Sequence, residues 1–120
     1  MEKKKVLFVD DSGTMRTIVA QTLEMAEFTV LKAGDGKEGL SCFTAQKPDI
    51  VITDVNMPEM DGITFIKELR KLDPEIPILV LTTESKDSLK DEAFSSGANG
   101  WIVKPFRPAQ IISMIKDILD

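Results

Sequence analysis

At 120 residues, 42% of them hydrophobic, the chain is long enough for one compact domain with a buried core and leaves no room for a second. Twenty acidic against 15 basic side chains give a net charge of −5, which argues against direct nucleic-acid binding, and no apolar run approaches a signal-peptide core or a membrane span. A single cysteine, Cys42, rules out an internal disulfide and suits a reducing cytoplasm, while the absence of histidine rules out Ser-His and Cys-His triads and histidine metal ligands.

After the basic run Lys3-Lys4-Lys5, which reads as a solvated N-terminus, Val6-Leu7-Phe8-Val9 has the continuous apolar character of a strand buried on both faces of a parallel sheet. It runs into Asp10 and Asp11. Met15, Ile18, Val19, Thr22, Leu23 and Ala26 then recur at helical spacing, with Ser12 as the cap. Thr29-Val30-Leu31 is a short second strand. Asp35, with Glu38 three residues on, opens a second helix through Leu40 and Phe43, in which Cys42 serves as a small apolar side chain. The third strand runs from about residue 49 to Asp54. Past Pro58, Asp61 caps a third helix that buries Phe65, Ile66, Leu69 and Leu72 before Pro74 and Pro77 end the connection. Ile78-Leu79-Val80-Leu81 forms a fourth strand leading into Thr82.

From Lys86 to Ser96 only Leu89, Ala93 and Phe94 form an apolar stripe, which predicts a helix weakly held to the core and therefore able to move. Gly97 stops it. Trp101-Ile102-Val103 is a fifth strand that ends at Lys104, and Pro108 opens a last helix carrying Ile111, Ile112, Ile115, Ile118 and Leu119. The regular alternation of strand and helix predicts an α/β domain with a parallel sheet. Ligands of such sheets bind beyond the carboxyl ends of the strands, so Asp10, Asp11, Asp54, Thr82 and Lys104 are expected to meet at one edge.

Three carboxylates brought together repel one another unless a cation or proton compensates. Few carboxylates with all-oxygen ligation suit Mg2+, whereas calcium asks for more ligands. Taken singly, Asp10 and Asp11 read as a capped helix start and Asp54 as a strand-ending turn; the three together make those readings poor. Asp54 follows the most buried run and is the natural nucleophile, because a carboxylate can attack phosphorus to give an acyl phosphate. Phosphoryl transfer asks a protein mainly to position groups and stabilise charge, which the Lys104 ammonium and the Thr82 hydroxyl can do.

On these residues the chain resembles the receiver domains of two-component response regulators, and among them the stand-alone chemotaxis type. The motifs that carry the resemblance are Asp10-Asp11, the stretch from Asp54 through Val55, Asn56, Met57, Pro58, Glu59, Met60 and Asp61 to Gly62, then Thr82, Gly97-Ala98 and Lys104-Pro105-Phe106. The resemblance covers nearly the whole length, so residues 1–120 are expected to form one receiver domain. It implies a doubly wound, flavodoxin-like (βα)5 fold with strand order 2-1-3-4-5 and a switch point between strands one and three. It further implies that Asp54 is phosphorylated by a histidine kinase, which supplies the phosphohistidine this chain lacks. Mg2+ would be held by Asp11, Asp54 and the Asn56 carbonyl, with Asp10 acting mainly through water.

By the same resemblance Lys104 pairs with the phosphoryl group, Thr82 turns inward to bond it, and the Lys104-Pro105 bond is cis. Trp101 stands where an aromatic side chain changes rotamer with phosphorylation; read from the residues alone, it is a partly buried strand aromatic. Asn56 and Glu84 occupy positions that tune phosphoryl lifetime, and their pairing implies a short-lived signal. The implied protein is a switch that catalyses only its own phosphorylation and dephosphorylation, a cytoplasmic monomer whose fourth helix, fifth strand and fifth helix form the surface read by a downstream protein. Within that surface Lys86, Lys90 and Arg107 could meet an acidic partner, but a solvated charged face is the simpler account of those residues.

Rival readings make different demands. Gly34-Asp35-Gly36-Lys37-Glu38-Gly39 matches a dinucleotide-binding fingerprint, but it follows the second strand and explains none of Asp10, Asp11, Thr82 or Lys104. Turn glycines and a helix-packing glycine are the simpler account. An aspartate-nucleophile phosphatase acting on external substrates commonly uses Asp-x-Asp, whereas here the sequence reads Asp54-Val55-Asn56. A receiver segment of a larger transcriptional regulator is the third reading.

Overall fold

A computed structural model describes residues 3–119. Strand β1 (Lys5–Val9) leads into helix α1 (Gly13–Met25), β2 (Thr29–Ala33), α2 (Gly36–Gln46), β3 (Ile50–Thr53) and α3 (Gly62–Leu72). The alternation continues through β4 (Ile78–Thr82), α4 (Asp87–Ser96), β5 (Gly100–Val103) and α5 (Pro108–Leu119). All strand pairs are parallel, in the order β2-β1-β3-β4-β5, so the chain reverses its direction of growth at the β1–β3 boundary, as expected.

Strands β1, β3 and β4 are buried on both faces, and their side chains alternate between two cores. Leu7, Val9, Val51, Ile78 and Val80 pack with Phe65, Ile66 and Leu69 of α3 and Ala93 of α4. Val6, Phe8, Ile50, Ile52, Leu79 and Leu81 pack with Val19 and Leu23 of α1 and Ile111 and Ile115 of α5. A period of two therefore separates the cores although nearly every residue in these strands is apolar. The helix starts follow their predicted caps: the Ser12 hydroxyl accepts from Met15 N at 3.2 Å, Asp35 from Glu38 N at 2.8 Å and Asp61 from Thr64 N at 2.9 Å.

Three expectations change at the edges. Strand β2 runs to Ala33, two residues past Leu31, because it pairs with β1 through Val9↔Ala33. Val103 is 41% exposed, since β5 is an edge strand with a neighbour on one side only. Ile18 and Leu72 project into solvent: Val19, Ala20 and Leu23 centre the buried stripe of α1, and Leu72 is the last residue of α3. Periodicity gives the direction of a helix face but not its width or where the neighbouring element stops.

Helix α4 has the sparse anchoring its stripe predicts. Only Ala93 is buried, and its cap residue, Lys86, makes no side-chain hydrogen bond to the first turn. Its far end is better held. Gly97 closes the helix at φ +122°, a conformation that L side chains rarely adopt, and its carbonyl accepts from Arg70 Nε at 3.2 Å and Nη2 at 2.7 Å.

Candidate functional site

Main-chain bonds between neighbouring strands hold the residues just past the strand ends level with one another. Asp10 N donates to Ala33 O at 3.1 Å, Asp54 N to Val9 O at 3.0 Å and Lys104 N to Thr82 O at 2.7 Å. Residues scattered from 10 to 104 therefore meet at the carboxyl edge of the sheet, where the strand order reverses.

Carboxylate oxygens of Asp10, Asp11 and Asp54 lie within 4.8 Å of one another. Asp10 and Asp54 are buried, and Asp11 is exposed. Each buried carboxylate uses one oxygen on main-chain donors and the other on Lys104. Asp10 Oδ1 accepts from Ser12 N at 2.9 Å, and Asp54 Oδ1 accepts from Val55 N at 2.6 Å and Asn56 N at 3.1 Å. Lys104 Nζ donates to Asp10 Oδ2 at 2.8 Å and to Asp54 Oδ2 at 3.2 Å. Burial by itself pushes the Lys104 ammonium down. The hydrogen bond to Asp10 and the charges of Asp54 and Asp10 outweigh it, so the net shift is upward and the side chain is a cation at neutral pH.

Burying two carboxylates is costly unless they are paired, and one ammonium shared between them leaves the exposed Asp11 without a partner among the recorded ion pairs of the described residues. The cluster retains an excess of negative charge, its donors are all oxygen, and one side opens to solvent. That donor set fits a hard divalent cation and is a poor match for a soft one.

Thr82 is fully buried at the end of β4, and its hydroxyl accepts from Glu84 N at 3.2 Å. Glu84 in turn accepts from Asn56 Nδ2 at 3.1 Å, so the loops after β3 and β4 are joined across the mouth of the site. Trp101 lies three residues before Lys104 on β5, half-buried against the core on the α3 and α4 side. Its indole nitrogen is enclosed and makes no hydrogen bond. The Lys104–Pro105 peptide bond is cis.

The glycines of the Gly34 to Gly39 segment pack against side chains. A Cβ on Gly36 would lie 2.7 Å from Met60 Sδ, and one on Gly39 would lie 2.9 Å from Phe65 and 3.0 Å from Val9. Two arginines contribute to the site region without any signal in the sequence. Arg16 donates to the Asp10 carbonyl at 2.6 Å, and Arg70 joins α3 to the turn after α4. Neither has a signature in its own neighbourhood, because both act on main-chain carbonyls that only the fold brings within reach.

Comparison with known proteins agrees with this geometry. The profile of the response regulator receiver domain matches residues 6–116. The chemotaxis protein CheY of Thermotoga maritima is 37% identical over 116 residues, covering 96% of this chain and 97% of that protein. The alkaline phosphatase synthesis transcriptional regulatory protein PhoP of Bacillus subtilis is 36% identical over 116 residues, covering 97% of this chain and 48% of that protein. This chain thus spans about half the length of such transcriptional regulators. Among solved structures, the chemotaxis protein CheY4 of Vibrio cholerae superposes with a TM-score of 0.93 at 41% identity, over 98% of this chain and 99% of that one.

Proposed function

This chain belongs to the response regulator receiver domain family of two-component signalling, and from that premise we propose that it is a single-domain switch that takes a phosphoryl group from a histidine kinase onto Asp54. Receiver domains are phosphoacceptor switches that work between a histidine kinase and a downstream target. The observation that carries the assignment is the Lys104 ammonium bonded to both Asp10 and Asp54, beside the carboxylate of Asp11.

In the transfer, an Asp54 carboxylate oxygen attacks phosphorus, the phosphorus–nitrogen bond of the kinase phosphohistidine breaks, and the imidazole keeps the electron pair. Asp10, Asp11 and Asp54, with the Asn56 carbonyl, would hold Mg2+, which supplies positive charge against the phosphoryl oxygens. Val55 N and Asn56 N fix the orientation of the Asp54 carboxylate before the reaction. Lys104 neutralises charge on the incoming group, and Thr82 donates its hydroxyl to it. Asn56 and Glu84 govern how readily water reaches the acyl phosphate, and the chain catalyses this reaction on itself alone.

Phosphorylation then biases an equilibrium between two arrangements of the domain, and it does so only by being held better in one of them. Inverting a 1:99 population takes about 5.5 kcal/mol of differential stabilisation, within reach of several charge-assisted bonds to a dianion. Trp101 takes part by changing rotamer. The face formed by α4, β5 and α5 is the surface read by a partner protein; Phe94 and Val103 are each 41% exposed on α4 and β5. The protein acts as a cytoplasmic monomer in chemotaxis-type signalling, a reading supported by its likeness to two chemotaxis proteins. Likeness to half of a transcriptional regulator favours a second reading, a receiver segment that serves a DNA-binding output.

Incubation with a small phosphoryl donor and Mg2+ is expected to add one hydroxylamine-labile phosphate, which Asp54→Asn abolishes. Undiminished labelling of that variant would reject the assignment. Capture of a motility protein by the beryllofluoride form would favour the chemotaxis reading over the transcriptional one.

A further inference from the structure

We propose that Arg16 is a positioning residue for the acidic pocket, acting through the Asp10 main chain; this rests on the Mg2+-dependent phosphoacceptor reading of the site. Arg16 Nη1 donates to the Asp10 carbonyl oxygen at 2.6 Å in a partly buried setting. That carbonyl belongs to the peptide group joining Asp10 to Asp11, so the bond fixes the plane from which both carboxylates project. A charge-assisted hydrogen bond of this length is among the stronger restraints that a side chain can place on a turn.

The rest of the turn is held from other directions. Asp10 N is bonded to Ala33 O at 3.1 Å, Asp10 Oδ1 accepts from Ser12 N at 2.9 Å, and Arg16 N is bonded to Ser12 O at 3.0 Å. Without the guanidinium, the carbonyl between the two aspartates loses the only side-chain donor recorded for it among the described residues. Gly13 and Gly34 border the space in which that group lies: a Cβ on Gly13 would come within 3.6 Å of Nη2, and one on Gly34 within 3.4 Å of Nη1. Arg16 thus spans the turns after β1 and β2 from the first turn of α1.

Charge and position make opposite predictions. As a cation near three carboxylates, Arg16 opposes Mg2+, and deleting it for its charge alone would tighten binding. As a clamp on the Asp10–Asp11 peptide, its deletion spreads the carboxylate orientations and weakens binding; groups that orient metal ligands typically contribute about 10- to 100-fold in affinity.

The test is calorimetric titration of the full chain with MgCl2, with the folded fraction of each variant fixed by thermal melting without Mg2+. Arg16→Met is expected to bind about tenfold more weakly than the parent. Arg16→Lys, which keeps the charge but loses the fork of donors, is expected to fall between them. Equal or tighter binding by folded Arg16→Met overturns the inference, and so does unchanged binding by Arg16→Lys if the Met variant fails to fold. A parent chain that binds no Mg2+ would instead defeat the reading of the site itself, and this inference with it.

Discussion

Lys104 Nζ lies 2.8 Å from Asp10 Oδ2, a contact that joins residues 94 positions apart and puts a cation between two carboxylates of the acidic cluster. The same ammonium reaches Asp54 Oδ2 at 3.2 Å. It therefore stabilises the pocket and would compete with a divalent cation for the same oxygens.

Replacing Lys104 is expected to separate these two effects. Lys104→Met leaves two buried carboxylates without their shared partner, a change that typically costs about 3–5 kcal/mol, and added Mg2+ should recover much of that loss. The variant is expected to bind Mg2+ more tightly than the parent yet to accept phosphate about 100- to 1,000-fold more slowly, as happens when a donor to developing charge is removed. Urea titration with and without Mg2+, together with labelling rates, checks both. Weaker Mg2+ binding would contradict the competition.

Asn56 and Glu84 are expected to act on phosphoryl lifetime as a coupled pair, because the Asn56 amide donates to the Glu84 carboxylate across the mouth of the site. In a double-mutant cycle of Asn56→Ala and Glu84→Ala, the dephosphorylation rates should depart from additivity by about 0.5 kcal/mol or more, a factor of about two or greater. Strict additivity would show that the bond does not matter to the reaction.

Gly62 tests how close the main chain passes behind Asp54. An added Cβ would collide with the Asp54 carbonyl oxygen and Val55 Cα, both main-chain atoms with no flexible end to move aside. Gly62→Ala should cost at least the ~1–3 kcal/mol of ordinary overpacking, whereas Gly36→Ala, which meets the movable Met60 side chain, should cost less. Denaturant midpoints rank them. The reverse order would mean that the loop after β3 yields more easily than its packing implies.

Helix α4 is expected to open before the rest of the sheet. Its amides should exchange faster than those of α3, starting in the uncapped turn at Asp87 and slowing toward Gly97, where Arg70 holds the carbonyl. Hydrogen exchange read by mass spectrometry resolves this gradient. Protection equal to that of α3 would remove the structural basis for a mobile helix.

Helix starts at Ser12, Asp35 and Asp61, the runs through β1, β3 and β4, and the sparse stripe of α4 were all legible in the sequence. Each depends on neighbours within about one helical turn or on strand-length apolarity, so local rules suffice. The meeting of Asp10, Asp11, Asp54, Thr82 and Lys104 at one edge was also inferable, since parallel strands must all end on the same side.

Tertiary structure alone decided the pairings made by long or main-chain-directed side chains: Lys104 with both aspartates, Asn56 with Glu84, Arg16 with the Asp10 carbonyl and Arg70 with Gly97. It also decided where a stripe stops, leaving Ile18, Leu72 and Val103 in solvent. The physical reason is the same in each case. A residue's pattern encodes which way its side chain leaves the backbone, whereas the partner it meets depends on how separate elements are set against one another, and no short window of sequence contains that information.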